Sequence, residues 1–306
     1  MTQGLLAVTG GTGLIGRSLV DRARSAGFRL RILTRRPEAE LPDGCESCRY
    51  DLADAKPVDP GLFDGCSAVV HLAAFIPADQ ASPAEAERCL DANALGTLRL
   101  VEAMAQAGVT RLVQTTAANS YAPGHPRPTE DWPVFPAQRA PFYLGSKMLQ
   151  EVFAHQAASR GLEVTSLRPS SVYGPGASRG AIGLFARSLL AGQPIRLADG
   201  GRFAADFVTA DDVAAAILLA LEAPLTGIYN VGSGVRATLA EVAEILIGLT
   251  RADHSLVALD PPTGEADPGF PAPDISRIAA AGFRPTPLAE GLRSVVEAAR
   301  AEERRR

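Results

Sequence analysis

Long apolar runs are missing from this chain. No stretch of its 306 residues is apolar for long enough to span a bilayer. The first apolar run starts at Leu5, which leaves no room for a cleavable leader, so the cytoplasm is the expected location. A strong charge of one sign is missing too. Thirty Lys and Arg stand against 34 Asp and Glu, a net charge of −4, and nothing in that balance points to nucleic acid. Cysteine is scarce. Cys45 and Cys48 form a CxxC, yet no second CxxC or His pair follows at zinc-ligand spacing. The four cysteines therefore read as ordinary side chains and no metal is expected. Internal repeats and low-complexity blocks are absent as well. What remains is 46% hydrophobic and 21% charged, an ordinary globular composition with enough length for a substantial core. One large domain with a smaller lobe fits that length better than two equal domains.

What is present is organised around Val8-Thr9-Gly10-Gly11-Thr12-Gly13-Leu14-Ile15-Gly16. The stretch follows an apolar run, Leu5 to Val8, that reads as a buried strand. It opens a run periodic in Leu14, Ile15, Leu19, Val20 and Ala23 that reads as a helix. A helix N-terminus offers unpaired N–H groups and a partial positive charge, and glycines let a pyrophosphate approach the backbone. Gly10, Gly13, Leu14, Ile15 and Gly16 are thus candidates to bind a dinucleotide; the plainer alternative is a tight turn without a ligand. About 20 residues past such glycines an acid commonly takes the ribose 2′-hydroxyl. Here Thr34 and Arg35 follow the second strand, Phe28 to Leu33. With no carboxylate to repel a 2′-phosphate and a guanidinium to grip one, NADP is favoured over NAD.

Further along, Arg49-Tyr50-Asp51-Leu52 closes a third strand, with Asp51 placed to bond an adenine amino group or simply a turn. Ala68 to Leu72 reads as a fourth strand. Leu72, Ala73 and Ala74 at its end allow close approach of a cofactor, and His71 reads as a buried structural histidine. Pro83 to Ala107 reads as one long helix carrying Asn93, and Arg111 to Thr116 as a fifth strand. The proline-rich loop from Ala122 to Pro141 is long enough to face a substrate. Then Tyr143 and Lys147, four apart, share one helix face. An ammonium beside a phenol stabilises the phenolate, which predicts a lowered Tyr143 pKa and an acid/base near neutral pH. Glu163 to Leu167 is a sixth strand. Helices follow at Ile182 to Leu190, Val213 to Leu221, Leu239 to Leu249 and Leu288 to Arg300, with a short strand at Gly227 to Val231. Asp211 and Asp212 read as capping and anchoring groups rather than a catalytic pair.

These residues, with Arg168-Pro169-Ser170-Ser171-Val172-Tyr173-Gly174-Pro175 and Tyr229-Asn230-Val231-Gly232, resemble the extended short-chain dehydrogenase/reductase superfamily, in particular its NAD-dependent epimerase/dehydratase family. The resemblance covers essentially the whole chain. It implies an α/β fold, a Rossmann-type doubly wound parallel sheet with a smaller C-terminal α/β substrate lobe. Residues 1–168 would bind NAD(P), 206–232 would rejoin them, and 169–306 would form the lobe. The resemblance also implies a homodimer through a four-helix bundle near Asn93 and Tyr143. Tyr143 would exchange a proton with the substrate while Lys147 holds the nicotinamide ribose, and Leu52, Asn93, Thr115, Pro169 and Ser170 would also touch the cofactor. Thr116, Ala117, Asn119, Ser171 and Arg179 would face the substrate with Tyr143.

The departures from the family pattern carry information. The Ser or Thr that accompanies the Tyr–Lys pair falls, by counting back from Tyr121, on Ala117. Either Thr116 serves, or the hydroxyl is missing and Ser120 or water replaces it. Ala117 and Ala118 stand where dehydratases carry Asp-Glu. Ser171 and Ala205 stand where nucleotide-sugar members carry an Asn and an Arg for the diphosphate, with Arg202 or Arg179 as possible substitutes. Three functions stay open: an NAD(P)-dependent oxidoreductase acting on a secondary alcohol or ketone of a sugar-like molecule, a nucleotide-sugar epimerase with retained cofactor, and a dinucleotide-binding regulator without turnover.

Overall fold

The computed structural model describes residues 4–37, 41–80, 82–136, 139–177, 180–223, 225–262 and 269–305. The chain starts with β1 (Leu5–Thr9), α1 (Leu14–Ser25), β2 (Arg29–Thr34), β3 (Cys45–Arg49) and β4 (Cys66–His71). α2 (Pro83–Cys89) and α3 (Gly96–Gln106) follow, then β5 (Arg111–Thr115), α4 (Pro141–Ala158) and β6 (Glu163–Pro169). The remainder is β7 (Ser171–Tyr173), α5 (Ala181–Leu190), β8 (Ile195–Leu197), β9 (Ala204–Thr209), α6 (Ala210–Glu222), β10 (Gly227–Val231), β11 (Arg236–Thr238), α7 (Leu239–Thr250), β12 (Val257–Leu259), α8 (Ser276–Ala280) and α9 (Leu288–Glu303).

A seven-stranded parallel sheet, in the order β10-β6-β5-β4-β1-β2-β3, forms the body. All five residues of β1 are buried, as the unbroken apolar run requires of a strand covered on both faces. Its side chains alternate between two cores. Leu6 and Val8 enter the one shared with α1 and α6, while Ala7 enters the one shared with α3 and α4. The strand order reverses between β1 and β4, and the crevice that opens there is where ligands of such sheets bind.

The helix read as Pro83 to Ala107 is interrupted. Residues Leu90–Leu95 form a π-turn between α2 and α3. The extra residue turns Asn93 fully inward, a distortion common at functional sites. β3 stops at Arg49, so Tyr50 to Leu52 leave the sheet, although Tyr50 N still donates to Thr34 O at 2.9 Å. The second half also differs from the sequence reading. β9 pairs parallel with β7 and antiparallel with β11 in a separate three-stranded sheet, and the return to the main sheet begins with α6 and ends with β10. β8 and β12 pair apart from both. A third core, with Tyr173, Phe185, Phe207, Leu246 and Val295 among its members, fills this region.

The return is anchored by the two acids of α6. Asp211 takes a bidentate ion pair from Arg22 on α1, with Nε to Oδ1 at 2.6 Å. Asp212 accepts from Thr286 Oγ1 at 2.7 Å and from Thr286 N at 3.1 Å. Both acids therefore anchor.

Candidate active site

The glycine turn is shaped by close approach. Gly10 has φ +72°, and a Cβ there would stand 2.6 Å from Ala73 N. A Cβ on Gly16 would collide with Gly10 O and the backbone of Gly11. Gly13 N donates to Gly10 O at 2.9 Å, and Gly13 caps α1 with no side-chain hydrogen bond and no acid in the first turn. The first N–H groups of α1 therefore face the crevice uncapped. That cradle fits a dinucleotide pyrophosphate.

The rim of the crevice carries the other predicted cofactor residues. Thr34 and Arg35 leave β2, with Thr34 Oγ1 accepting from Arg36 N at 3.2 Å and Arg35 exposed. Asp51 is exposed, and its Oδ1 accepts from Ala53 N at 3.1 Å. Leu52 is buried against Gly96, where a Cβ would meet Leu52 O. Leu72, Ala73 and Ala74 border the glycine turn, half-buried. Thr9 Oγ1 holds them there, accepting from Leu72 N at 3.2 Å and Ala73 N at 3.1 Å.

Thr9 also fixes His71. The network assigns the proton of Thr9 Oγ1 to His71 Nδ1 at 2.7 Å, and His71 Nε2–H to Thr97 Oγ1 at 3.0 Å, because Thr97 itself donates to Asn93 O at 2.7 Å. Burial, with Lys147 adding to it, holds His71 down to about 3. The folded chain thus refuses a proton that the unfolded chain accepts below about 6.5. Stability from this site is complete above that value and is lost as the pH falls toward 3. Urea unfolding at pH 7.5 and pH 5.0 should show a loss of roughly 2 kcal/mol from this residue, at about 1.4 kcal/mol per pH unit. The loss should shrink in His71→Gln. An unchanged slope in that variant would remove His71 as its source.

Asn93 is fully buried, and its amide is engaged by the protein. Oδ1 accepts from Phe75 N at 2.7 Å, and Nδ2 donates to Phe75 O and Ser146 Oγ, both at 2.9 Å. It ties the loop after β4 to α4. Its hydrogen bonds within the protein hold the crevice wall in place.

Tyr143 and Lys147 lie one turn apart on α4. Lys147 is buried, and Nζ donates to Gln150 Oε1 at 2.5 Å, leaving two N–H bonds. Gln150 is oriented in turn: its Nε2 donates to Gln114 Oε1 at 2.9 Å and Thr115 O at 3.3 Å. The expected lowering of the Tyr143 pKa is reversed. Burial, with Cys89 adding, pushes the phenol up to about 12. Burial also pulls Lys147 down to about 7, against the opposing pull of Glu151. Desolvation disfavours both charged forms here. Gln114 and Gln150 escaped the sequence reading. Their signals were a glutamine following the apolar Leu112 and Val113 in a buried strand and another three residues past Lys147 on the same helix face.

Thr116 is also placed differently from expectation. Its hydroxyl donates to Glu151 Oε2 at 2.9 Å and lies 3.3 Å from Leu167 O, inside a buried polar network. Arg168, from β6, holds the same carboxylate in place, with contacts at 3.0 and 2.5 Å. Ala117 offers no hydroxyl, and Ser120 Oγ is spent on Ala117 O at 2.5 Å. Asn119 Nδ2 reaches Ser171 Oγ at 3.5 Å, joining the loop after β5 to β7. Thr115 ends β5, and Pro169 and Ser170 follow at the end of β6, with Ser170 N donating to Val231 O at 2.9 Å. Arg179 lies outside the described residues. Arg202 pairs with Asp199. Among the described residues no group of three or more His, Cys, Asp and Glu side chains is placed to hold a metal, and no helix is long and apolar enough to cross a membrane.

A parallel sheet with the reversal between β1 and β4, an uncapped glycine turn at that reversal, and a Tyr–Lys pair on the neighbouring helix define a short-chain dehydrogenase/reductase of Rossmann type. The chain belongs to the NAD dependent epimerase/dehydratase family, whose model matches residues 6–232. It is 31% identical over 262 residues to UDP-glucose 4-epimerase of Mycolicibacterium smegmatis, covering 79% of this chain and 81% of that one. It is 31% identical over 230 residues to 3-diazoavenalumate denitrifying reductase of a Streptomyces species, covering 73% and 74%. The structure of MoeE5 in complex with UDP-glucose and NAD matches 98% of this chain and 100% of its own at a TM-score of 0.85 and 30% identity. The protein is an enzyme of the NAD(P)-dependent epimerase/dehydratase type.

Proposed function

We propose that this enzyme moves a hydride between NAD(P) and a secondary alcohol or ketone carbon of a small, sugar-like substrate that carries no nucleotide diphosphate. The observation that carries the proposal is the Tyr143–Lys147 pair on α4 beside the uncapped glycine turn. Residues Gly10 to Gly16 would hold the pyrophosphate and Lys147 the nicotinamide ribose. When bound, the cofactor takes or gives the hydride, and its oxidised form adds a positive charge that favours the Tyr143 phenolate. Tyr143 moves a proton at the substrate oxygen, and Lys147 keeps an N–H directed at the same region. With position 117 an alanine and Thr116 turned to Glu151, the phenol works without a neighbouring hydroxyl. Thr116 then serves the structure.

The missing diphosphate follows from the donors. A diphosphate in a cleft needs cationic or amide partners to offset its lost hydration. Ser171 supplies one short hydroxyl, and Ala205 is buried and supplies none. Calorimetric titration of the cofactor-loaded protein with UDP and dTDP should show no micromolar binding. Micromolar binding of either would favour the second reading, a nucleotide-sugar epimerase, which the similarity to UDP-glucose 4-epimerase supports. The similarity to a reductase supports the first.

On the cofactor, the family's dinucleotide is NAD and the rim favours NADP. Arg35→Ala should weaken NADP(H) about 10- to 150-fold, the range of one charge-assisted contact worth roughly 1.5–3 kcal/mol, while NAD(H) binding stays as it was. Equal losses would show that Arg35 does not read the 2′-phosphate.

A further inference from the structure

Behind Lys147 a line of hydrogen bonds leaves the crevice and ends at His155, about two turns further along α4. Lys147 Nζ donates to Gln150 Oε1 at 2.5 Å, and Gln150 Nε2 donates to Gln114 Oε1 on β5 at 2.9 Å. Gln114 Nε2 donates to Ser166 Oγ on β6 at 2.9 Å, and Ser166 Oγ lies 2.9 Å from His155 Nε2. Lys147, Gln150, Gln114 and Ser166 are buried, whereas His155 is half-buried.

Each link can point only one way. An ammonium donates and never accepts, so Gln150 turns its carbonyl oxygen to Lys147. Its amide nitrogen then faces Gln114. The Thr115 carbonyl, 3.3 Å from that nitrogen, agrees, since it accepts only from a donor. Gln114 is thereby fixed with Oε1 toward Gln150 and Nε2 toward Ser166. Ser166 Oγ receives that N–H, and among the described residues His155 Nε2 is the acceptor seen for its own proton. His155 Nε2 is therefore bare, and the ring proton sits on Nδ1. A doubly protonated His155 would give Ser166 Oγ a second donor and leave the serine proton without an acceptor. Burial disfavours that form too and holds the His155 pKa below its usual value, with Arg168 pushing the same way and Glu151 opposing. Those two, paired with each other, are the charged groups that bear on the ring.

We propose that His155 is a positioning residue for Lys147, acting through Ser166, Gln114 and Gln150, and that only its neutral Nδ1–H form holds the line. Burial pulls Lys147 down to about 7, so the Gln150 carbonyl helps decide how far up the pH scale the ammonium persists. The same carbonyl fixes Nζ by one bond and leaves two N–H bonds for other partners. As the pH falls through the His155 pKa, the Ser166 link breaks and the two amides lose their fixed orientation. The consequence for turnover rests on the hydride-transfer reading above, in which Lys147 holds the nicotinamide ribose. The line itself does not.

Isotope labelling reads the line without a substrate. The chain has two lysines, Lys56 and Lys147, and four histidines. In the full chain carrying ¹⁵N-histidine, long-range ¹H–¹⁵N correlation at about pH 7.5 should show His155 as the Nδ1–H tautomer, assigned by substituting the histidines one at a time. With ¹³C-lysine, the Lys147 signal should titrate at about 7 and respond a second time where His155 takes its proton. Gln150→Leu should lower the Lys147 pKa by about one to two pH units, the size of a lost hydrogen bond to a charged group. His155→Leu should lower it by about a third of a pH unit or more, the low end for a neutral hydrogen bond, and erase the second response. His155→Gln keeps an acceptor oxygen for Ser166 and should restore the wild-type value, again without the second response. A proton on His155 Nε2, no second response in the wild type, or a Lys147 pKa unmoved by His155→Leu would each overturn the proposal, as would His155→Gln behaving like His155→Leu. The tautomer and the second response are read on the wild type, so they decide the matter even where a variant does not fold. The hydride-transfer reading fails separately, by turnover that survives Tyr143→Phe.

Discussion

Tyr143→Phe should lose turnover by about 10²–10⁴-fold, the usual contribution of a positioned acid/base, while dinucleotide affinity stays nearly the same. The substitution removes one oxygen. The ring still packs on α4, Lys147 still donates to Gln150, and the glycine turn is untouched. No hydrogen bond from the Tyr143 hydroxyl is seen among the described residues, so its loss leaves no partner stranded. That makes the variant a clean test of chemistry over folding. Stopped-flow absorbance of the nicotinamide reads the hydride step, and fluorescence titration reads cofactor binding. A variant that keeps more than a tenth of the rate would remove Tyr143 from the mechanism.

The largest effect on stability is expected at Arg168. Its Nε and Nη2 bind the Glu151 carboxylate, and Nη1 donates to Tyr121 Oη at 2.9 Å and Glu130 O at 3.1 Å. Tyr121 Oη donates onward to Asn230 Oδ1 at 2.6 Å, and Asn230 N donates to Glu130 Oε1 at 2.9 Å. One buried cation thus holds β6, α4, the loop after β5 and β10 together. Arg168→Met leaves Glu151 charged and unpaired in the interior, which costs about 3–5 kcal/mol for a pair broken on one side. Urea unfolding should show the midpoint falling accordingly. The double variant Arg168→Met with Glu151→Leu should recover part of the loss, since removing both charges is far cheaper than removing one. If the double variant is no more stable than the single one, the pairing is not where the energy lies.

What the sequence discloses about this enzyme depends on distance along the chain. The glycine turn and the Tyr143–Lys147 pair are legible because the residues that define each lie within one or two helical turns of one another. The direction of the Thr116 hydroxyl is not, since it is decided by Glu151, 35 residues later, and that carboxylate in turn by Arg168. The Lys147 environment is hidden for a similar reason: Gln114 belongs to another strand, and only the packed sheet brings it against Gln150. β1 and β4 stand out as apolar runs and β2 as an alternating one, whereas β3, Cys-Glu-Ser-Cys-Arg, carries little apolar signal. β7, β8, β11 and β12 do not stand out either, being three residues each with partners far away in the chain. The phenol shows the other kind of gap. Spacing correctly brings Tyr143 and Lys147 to one helix face, but the sign of the Tyr143 shift depends on how much water reaches it, which no spacing encodes.

The path of the chain between its sheets has a consequence for how such an enzyme can be recombined. It leaves the seven-stranded sheet at β6, runs through β7, β8 and β9, returns as α6 and β10, and leaves again at β11. Exchanging everything after residue 169 for the corresponding part of a relative would also exchange the outermost strand beside β6 and the helix covering α1. A graft limited to the two smaller sheets and their helices therefore needs two separate insertions, on either side of residues 210–231. A fragment cut at residue 168 would leave the hydrogen-bonding edge of β6 bare, the kind of edge that invites pairing with other molecules.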